Sequence, residues 1–302
     1  MNEFQLIQHY FKQASLSFPK QNVIQSIGDD CAELSINPNH TLHISIDTLV
    51  EGVHFPKDAN PYDIATRALC VSLSDLAAAG ATPIAFTLAI TLPTIKEDWL
   101  SSFSEGLAHI AQMYQCPLIG GDTTKGDALV ITIQVHGQCP INQSLKRSTA
   151  KIGDKVYVSD VIGDGAGALS QVLKTPTDKT GLADRYYLPL PKIEFGIALR
   201  DYATSCLDIS DGLIQDLNHI CQASQVGMKL ESINIPLSEL LVETAGKQAA
   251  LQYALSGGDD YQLAYTAADC DQGICIGEVV AGNQVLVDGV VPALKGYQHF
   301  NE

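Results

Sequence analysis

The sequence is poor in positive charge. Its 302 residues contain 18 Lys and Arg against 34 Asp and Glu, which gives a formal net charge of −16. Proteins that bind nucleic acids or anionic membranes use surfaces rich in Lys and Arg, because these side chains neutralise phosphates. We therefore expect no nucleic-acid partner and no membrane partner. So acidic a chain could hold phosphates only through bridging cations, and divalent metal is the obvious source.

Long apolar runs are also missing. No stretch of about eighteen apolar residues occurs, so no transmembrane helix is predicted. The first residues, MNEFQLIQHYFKQA, are interrupted by polar side chains too often for a signal peptide. These two absences predict a soluble, cytoplasmic protein.

The eight cysteines show no pairing motif. They form no Cys-x-x-Cys pair and no Cys/His spacing typical of zinc sites. We therefore predict reduced thiols, most of them buried.

Several familiar catalytic and nucleotide motifs are absent as well. There is no G-x-x-x-x-G-K-[ST], no protein-kinase H-R-D or D-F-G, and no G-x-S-x-G. The segment 163–167, GDGAG, resembles a dinucleotide loop, but its third glycine falls one residue early. We interpret it as a tight turn between a strand and a helix.

The composition is that of a globular protein with two cores. Hydrophobic residues make up 46% and charged residues 17% of the chain, and short helical and strand-like patterns alternate without a fixed repeat. We predict two α/β domains facing a cleft, 1–140 and 141–302. The clearest predicted helices are 61–81, 97–114, 168–173 and 212–225, and the clearest strands are 41–46, 84–92, 128–137 and 155–159.

Aspartate recurs beside glycine and other small residues, mostly where we predict strands to end. The segments are IGDD (27–30), SID (45–47), GGDTT (120–124) and LDISDG (207–212), with SDL (74–76) inside a predicted helix. A single Asp–Gly pair is more often only a turn or a helix cap. Five such segments favour a magnesium site, because magnesium prefers oxygen ligands and usually takes one or two carboxylates per ion.

This hypothesis has an electrostatic consequence. If Asp30, Asp47, Asp75, Asp122 and Asp208 gathered without metal, their repulsion would raise some of their pKa values and destabilise the fold. A gathered set therefore predicts several bound cations.

Three other segments have both a functional and an ordinary interpretation. Arg147 could clamp a phosphate or be a solvated surface arginine. His54 could hold an anionic substrate, although a lone histidine is more often structural. The segment 257–261, GGDDY, could contact a phosphate acceptor or simply be a turn that opens a strand.

Taken together, these segments resemble the thiamine-monophosphate kinases. The matching motifs are IGDDCAEL, SIDTLVEGVHF, SLSDLAAAGATP, IGGDTTKGD, KRSTAKIGD, LDISDGLIQDL, SGGDDYQL and GYQHF, in order between residues 27 and 300. One such motif would mean little, but eight in order are a strong signal. The family belongs to the aminoimidazole ribonucleotide synthase-like proteins. The resemblance implies a two-domain α/β (α+β) fold whose N-terminal strands form a barrel across a homodimer.

The resemblance also assigns roles to residues. Magnesium ligands are implied at Asp30, Ser45, Ile46, Asp47, Asp75, Asp122, Asp208 and Asp211, of which Asp47, Asp122 and Asp208 would be catalytic. ATP contacts are implied at Asp30, Gly121, Arg147 and Ser210, and substrate contacts at His54, Asp259 and Tyr297.

The chain departs from the family pattern at three of the matched positions. Ile46 stands where the family often has Thr, so a metal contact there could come only from the backbone. Asp259 stands where the family has Glu and is one methylene shorter, and Thr149 stands where it has Gly.

The implied reaction is transfer of the γ-phosphoryl group of ATP to thiamine monophosphate, which gives thiamine diphosphate in the last step of its biosynthesis. We expect direct in-line transfer assisted by several magnesium ions. The acceptor phosphate is largely ionised near neutral pH, so no general base is expected.

Two alternatives remain open at this stage. The first is a sister enzyme: selenophosphate synthetase, a hydrogenase-maturation dehydratase or aminoimidazole ribonucleotide synthase. A reactive Cys and Lys in an N-terminal glycine-rich segment would indicate the first of these, and a cysteine-bearing C-terminal tail the second; the sequence ends GYQHFNE. The second alternative is a non-catalytic metal and nucleotide sensor, which would not need the acceptor set His54, Asp259 and Tyr297.

Overall fold

The computed structural model describes residues 2–293 and Gly296. The chain forms two compact units. Among the described residues, the first unit comprises 2–76, 81–142 and 173–177, and the second comprises 77–80, 143–172, 178–293 and 296. Within the described part of the chain, no helix is long and apolar enough to cross a membrane.

The first unit contains a four-stranded sheet with helices and a small hairpin. Its elements are α1 (Glu3–Leu6), a π-helical turn (Ile7–Phe11), β1 (Val23–Gln25), β2 (Glu33–Leu34), β3 (His40–Val50), α2 (Pro61–Ala78), β4 (Thr82–Leu92), α3 (Glu97–Met113), β5 (Leu118–Lys125) and β6 (Val130–Pro140). The strand order is β3-β6-β4-β5, with β4 and β5 parallel and the other pairs antiparallel. Strands β1 and β2 pair separately.

The helices of this unit form where the sequence predicts them. In α3, Leu100, Phe103, Leu107 and Ile110 are buried at a spacing of three or four residues, which places them on one face. Helix α2 begins at Pro61. Proline suits this position because it has no N–H, and an N–H in the first turn would have no partner within the helix. The side chain of the preceding residue, Asn60, accepts the N–H of Tyr62 at 3.0 Å.

Strand β3 presents two different faces. Successive strand residues point to opposite sides of a sheet, so Ser45 and Asp47 lie on the side of α2. The alternate side chains Leu42, Ile44 and Ile46 are 45%, 55% and 57% exposed, and we call them the outward row of β3.

Two acidic segments do not lie where we predicted. Residues 45–47 fall in the middle of β3, and residues 120–124 fall inside β5 instead of after it. Both strands continue because their backbone ladders are intact: Asp47 pairs with Ile133, and Asp122 pairs with Ala89. An aspartate side chain on a pleated strand leaves the backbone hydrogen bonds in place, so it does not have to end the strand.

The second unit contains a six-stranded sheet. Its elements are β7 (Lys155–Val158), α4 (Asp164–Lys174), α5 (Ala183–Tyr187), α6 (Ile193–Ala198), a 3₁₀ turn (Leu199–Asp201), β8 (Ser205–Asp208), α7 (Leu213–Ser224), β9 (Gly227–Leu230), a 3₁₀ turn (Ser232–Asn234), α8 (Glu239–Ala245), α9 (Lys247–Ser256), β10 (Leu263–Ala267), β11 (Ile274–Val280) and β12 (Val285–Val287). The order is β12-β9-β11-β7-β10-β8, and only β9 and β12 are parallel.

The core of this unit lies between the sheet and α7. Val156 and Leu207 of the sheet are buried together with Leu213, Leu217 and Ile220 of the helix. This packing fixes the start of α7, and with it the loop that follows β8.

The start of α4 corrects one prediction. We expected a turn over 163–167, but the helix begins at Asp164 and contains two of the three glycines. The reason is close packing: a Cβ at Gly165 would lie 2.2 Å from the carbonyl oxygen of Asp259. Glycine here lets a helix pass directly against another backbone.

The predicted burial of the thiols is confirmed. All eight cysteines are free, and the five that are buried are Cys70, Cys116, Cys139, Cys206 and Cys221.

Candidate functional site

An acidic pair, Asp47 and Asp75, lies between β3 and α2 in the first unit. The hydroxyl of Ser45 donates a hydrogen bond to the Asp75 carboxylate. Asp47 is hydrogen-bonded to the side chain of Ser72. Ser72 and Asp75 are three residues apart on α2 and therefore share one face of that helix. The strand and the helix thus bring three of the predicted metal ligands together.

The charges in this pair are unfavourable on their own. The pKa of Asp47 is raised from its ordinary value of 3.8 to about 6, chiefly by burial and in addition by the negative charge of Asp75, while the hydrogen bond with Ser72 opposes the rise. This is the repulsion that the sequence predicted for a metal-free set. A donor set made only of carboxylate and hydroxyl oxygens fits a hard cation such as Mg²⁺.

The predicted ligand Asp122 lies on the other face of the same sheet. The register aligns Asp47 with Ile133 and Leu88, whereas Asp122 aligns with Ala89 and Thr132. Cross-strand partners share a face, so the side chains of Asp47 and Asp122 point to opposite sides. Asp122 is exposed and accepts the N–H of its neighbour in sequence at 3.0 Å.

Gly121 is required by its backbone. Its φ is +156°, and a Cβ at this position would lie 1.8 Å from the carbonyl oxygen of Leu88. The preceding Gly120 is different, because its Cβ would meet only a Thr87 methyl group at 3.9 Å. Only the second glycine of the pair is therefore sterically obligatory.

The remaining first-unit predictions have less support from geometry. Asp30 is exposed, and its N–H donates to the carboxylate of Asp29 at 2.8 Å. The Nδ1 atom of His54 accepts the N–H of Val50 at 3.0 Å, so this ring already serves the turn that follows β3. Ile46 belongs to the outward row of β3, and its side chain supplies no ligand atom.

The loop after β8 carries the second-unit predictions. Asp208 is the last residue of β8 and is buried, and Ser210 and Asp211 follow in the loop before α7. One oxygen of Asp216, in the first turn of α7, accepts the N–H groups of Ser210, Asp211 and Gly212 at 3.0, 3.1 and 3.1 Å. This carboxylate fixes the whole loop.

Sequence reasoning missed Asp216. Burial raises its pKa to about 7; the three N–H groups oppose this shift, and the charge of Asp211 adds to it. The available signal was an acidic residue in the first turn of a helix that follows a glycine. We had interpreted that position as part of an ordinary helix.

A second loop, 257–262, packs on the first. The N–H groups of Asp259 and Tyr261 donate to the carbonyl oxygens of Ser210 and Ile209, both at 2.8 Å. The buried carboxylate of Asp260 accepts the N–H of Gly163 with both oxygens at 2.8 Å. Burial raises the pKa of Asp260 well above its usual value.

Two predicted site residues remain. Arg147 is exposed, and its backbone carbonyl accepts the hydroxyl of Ser224 at 2.7 Å. Tyr297 lies outside the described residues. Among residues 2–293 and Gly296, no three His, Cys, Asp or Glu side chains are arranged to hold a metal.

Comparison with known proteins identifies the family. Residues 28–139 match the family model "AIR synthase related protein, N-terminal domain". The thiamine-monophosphate kinase of Escherichia coli (strain K12) is 43% identical over 321 residues, covering 99% of this chain and 98% of the relative. That of Salmonella typhimurium (strain LT2) is 42% identical with the same coverage. The chain belongs to the thiamine-monophosphate kinase family.

Solved structures agree with this family assignment. The thiamine-monophosphate kinase of Stenotrophomonas maltophilia K279a matches with a TM-score of 0.84 at 37% identity, covering 90% of this chain and 92% of that one. AaThiL complexed with AMPPCP and TMP matches with a TM-score of 0.82 at 30% identity, covering 88% and 89%. The hydrogenase maturation protein HypE in complex with ATP has a TM-score of 0.76 at 18% identity, which concerns the fold alone. The predicted resemblance and the predicted fold class are confirmed.

Proposed function

We propose that the protein is a kinase that transfers the γ-phosphoryl group of ATP to thiamine monophosphate, giving thiamine diphosphate. The observation that carries this proposal is the similarity over 99% of the chain to thiamine-monophosphate kinases. The related AaThiL structure, which holds AMPPCP and TMP together, supports a nucleotide and thiamine monophosphate as the two substrates.

We further propose that several Mg²⁺ ions are held by the aspartate segments, with ligands at Asp30, Ser45, the backbone at Ile46, Asp47, Asp75, Asp122, Asp208 and Asp211. Because the side chains of Asp47 and Asp122 point to opposite faces of their sheet, we assign them to different ions. When bound, the metal supplies the positive charge that two anionic substrates need in order to approach each other. The acidic pair Asp47 and Asp75 supports this role, because burial and the charge of Asp75 both raise the pKa of Asp47, and a bound cation would oppose that rise. Asp47, Asp122 and Asp208 are the proposed catalytic carboxylates.

The proposed ATP contacts are Asp30, Gly121, Arg147 and Ser210. In the loop before α7, the carboxylate of Asp216 already accepts the N–H groups of Ser210, Asp211 and Gly212. An anionic phosphate is therefore met by the Ser210 side chain and not by the helix N-terminus. Gly121 leaves the β5 backbone free of any side chain at the residue before Asp122.

The proposed acceptor contacts are His54, Asp259 and Tyr297. Because Nδ1 of His54 accepts the N–H of Val50, the ring proton of neutral His54 is on Nε2, and this is the nitrogen that we propose donates to the substrate phosphate. Asp259 lines a cavity of about 70 Å³ in the second unit, together with Arg185 and Lys192. No residue is assigned as a general base, because the acceptor phosphate is already largely ionised.

We also propose that the protein is a homodimer joined through its N-terminal strands, and that 1–140 and 141–302 are its functional domains. Strand β3 is an edge of its sheet, and its outward row of Leu42, Ile44 and Ile46 is apolar and about half exposed. Exposed apolar edge strands pair readily with another chain. Light scattering should find a dimer for the wild type and a monomer for Ile44→Lys.

The direct test of function is thiamine diphosphate formation by the purified protein with ATP, Mg²⁺ and thiamine monophosphate. Product should require the metal and disappear in Asp122→Asn. The matched control is Asp127→Asn, which changes an exposed aspartate in the turn after β5 and should keep full activity. Nucleotide binding without product would favour a sensor, and a phosphoenzyme trapped with labelled ATP would contradict direct transfer.

A further inference from the structure

The loop between α9 and β10 has an unusual backbone. Gly258, Asp259 and Tyr261 have φ values of +70°, +60° and +51°. Residues with side chains rarely adopt this left-handed conformation, and a bulky tyrosine does so least readily. Such a conformation persists only where the surroundings enforce it, and it is concentrated at functional sites.

Asp260 supplies much of that enforcement. Its carboxylate is 8% exposed and accepts the N–H of Gly163 at 2.8 Å with both oxygens and the N–H of Gly165 at 3.4 Å. These donors lie at the start of α4, so Asp260 ties the loop to a rigid element. A carboxylate bound by several backbone N–H groups is among the stronger hydrogen-bonding arrangements in proteins.

The backbone of Asp259 is held on two sides. Its N–H donates to the carbonyl oxygen of Ser210. Its own carbonyl oxygen packs so closely on Gly165 that a Cβ at that glycine would lie only 2.2 Å away. A Cβ at Gly258 would come within 2.3 Å of the Ser210 carbonyl oxygen. No space is left for the Asp259 backbone to shift toward either neighbour.

Tyr261 acts on the side chain of Asp259. Its hydroxyl donates to Oδ1 of Asp259 at 3.2 Å. The two residues are separated by one position, and both have the left-handed backbone conformation. The side chain of Asp259 is half-buried and lines the cavity that it shares with Arg185 and Lys192.

We propose that Asp260 and Tyr261 are positioning residues for the acceptor: Asp260 fixes the backbone of Asp259, and Tyr261 fixes the direction of its carboxylate. The proposal rests on the proposed contact between Asp259 and thiamine monophosphate. That acceptor carries an amino group on its pyrimidine ring and a positive charge on its thiazolium ring. A carboxylate can bind either one, but it binds selectively only if its direction is fixed.

The test compares Michaelis constants for the two substrates in Tyr261→Phe. We expect the KM for thiamine monophosphate to rise about three- to tenfold, the loss expected for one hydrogen bond, with the KM for ATP and the melting temperature unchanged. The matched control is Tyr202→Phe, which removes a hydroxyl from a residue that is 49% exposed and should change neither constant.

A double-mutant cycle shows whether Tyr261 acts through Asp259. In an Asp259→Ala background, adding Tyr261→Phe should have no further effect on the KM for thiamine monophosphate. An equal rise in both backgrounds, or a rise of both Michaelis constants with a lower melting temperature, would overturn the proposal. An active Tyr261→Phe enzyme with unchanged Michaelis constants would overturn it as well.

Asp260→Asn gives a second, independent measurement. The amide keeps one acceptor oxygen but loses the charge, so we expect a lower melting temperature and a larger selective rise in the KM for thiamine monophosphate than in Tyr261→Phe. An Asp260→Asn variant that is equally impaired toward both substrates would refute the role of Asp260. Absence of product with the wild-type protein would instead refute the proposed function, and this role with it.

Discussion

Carboxylates have opposite surroundings in the two units: Asp47 and Asp75 of the first are half-buried, and Asp216 and Asp260 of the second are buried. In the first unit, Asp47 lies beside Asp75, and hydroxyl groups are the donors identified around the pair. In the second unit, Asp216 accepts three backbone N–H groups and Asp260 accepts two. The first arrangement brings two carboxylates together, and it is there that we propose a cation, whereas the second uses carboxylates to hold loops in place.

The comparison teaches that burial alone does not mark a metal ligand. Burial raises the pKa of Asp47 to about 6 and that of Asp216 to about 7, so the two shifts are similar. The donors around each carboxylate distinguish them. Asp216 accepts three backbone N–H groups, whereas Asp47 faces a second carboxylate that adds to its raised pKa.

The largest expected effect is the loss of enzyme activity when Asp47 of the first unit is replaced. Asp47→Asn keeps the size of the side chain but removes a carboxylate from the acidic pair. We expect the rate of thiamine diphosphate formation to fall by a factor on the order of 1,000, because charge stabilisation in the transition state is lost. Steady-state kinetics at saturating ATP and Mg²⁺ measure this, with Asp127→Asn as the control. Loss of less than tenfold would place Asp47 outside the catalytic set.

The next effect is on stability in the second unit. Asp216→Ala leaves one buried and two partly buried N–H groups without their acceptor, so the free energy of unfolding should fall by about 2–3 kcal/mol. Urea denaturation measures it, with Asp184→Ala, an exposed acid in the first turn of α5, as the control. An unchanged midpoint would show that the loop before α7 holds its conformation without Asp216.

A smaller effect on stability, a gain instead of a loss, is expected when Asp47 of the first unit is replaced in the absence of metal. The pKa of Asp47 is higher in the folded protein than in the unfolded chain, so the folded state loses stability as pH rises from about 4 to about 6. Without metal, Asp47→Asn should therefore unfold with a free energy about 1–2 kcal/mol higher than the wild type at pH 7.5, and about equal to it near pH 4. Denaturation in EDTA at both pH values provides the measurement. A variant less stable than the wild type at pH 7.5 would mean that the Asp47 charge is already compensated.

Much of the fold could be predicted from the sequence because its longest elements are strongly periodic. Helices α2, α3 and α7 lie within a few residues of their predicted bounds. The short helices α5, α6, α8 and α9 were not predicted, since five to ten residues give too little periodicity to distinguish a helix from a loop. Their formation depends on packing within the second unit.

The acidic residues could be found from the sequence, but not their surroundings. Asp47 was expected in a loop, whereas it lies inside a strand whose opposite face is apolar. Asp259 and Asp260 are adjacent and line the same cavity, yet Asp259 is half-buried, whereas Asp260 is buried and accepts backbone N–H groups at the start of α4. Which member of such a pair is buried depends on contacts with a segment almost one hundred residues away.

The central claim is that the acidic pair of the first unit binds a cation, whereas the buried acids of the second unit do not. The most direct test is the melting temperature of wild type, Asp47→Asn and Asp216→Asn with and without Mg²⁺, in the absence of nucleotide. We predict that Mg²⁺ at about 100 times its dissociation constant stabilises the wild type and Asp216→Asn by about 3 kcal/mol, and Asp47→Asn by much less. Equal stabilisation of all three proteins would contradict the claim.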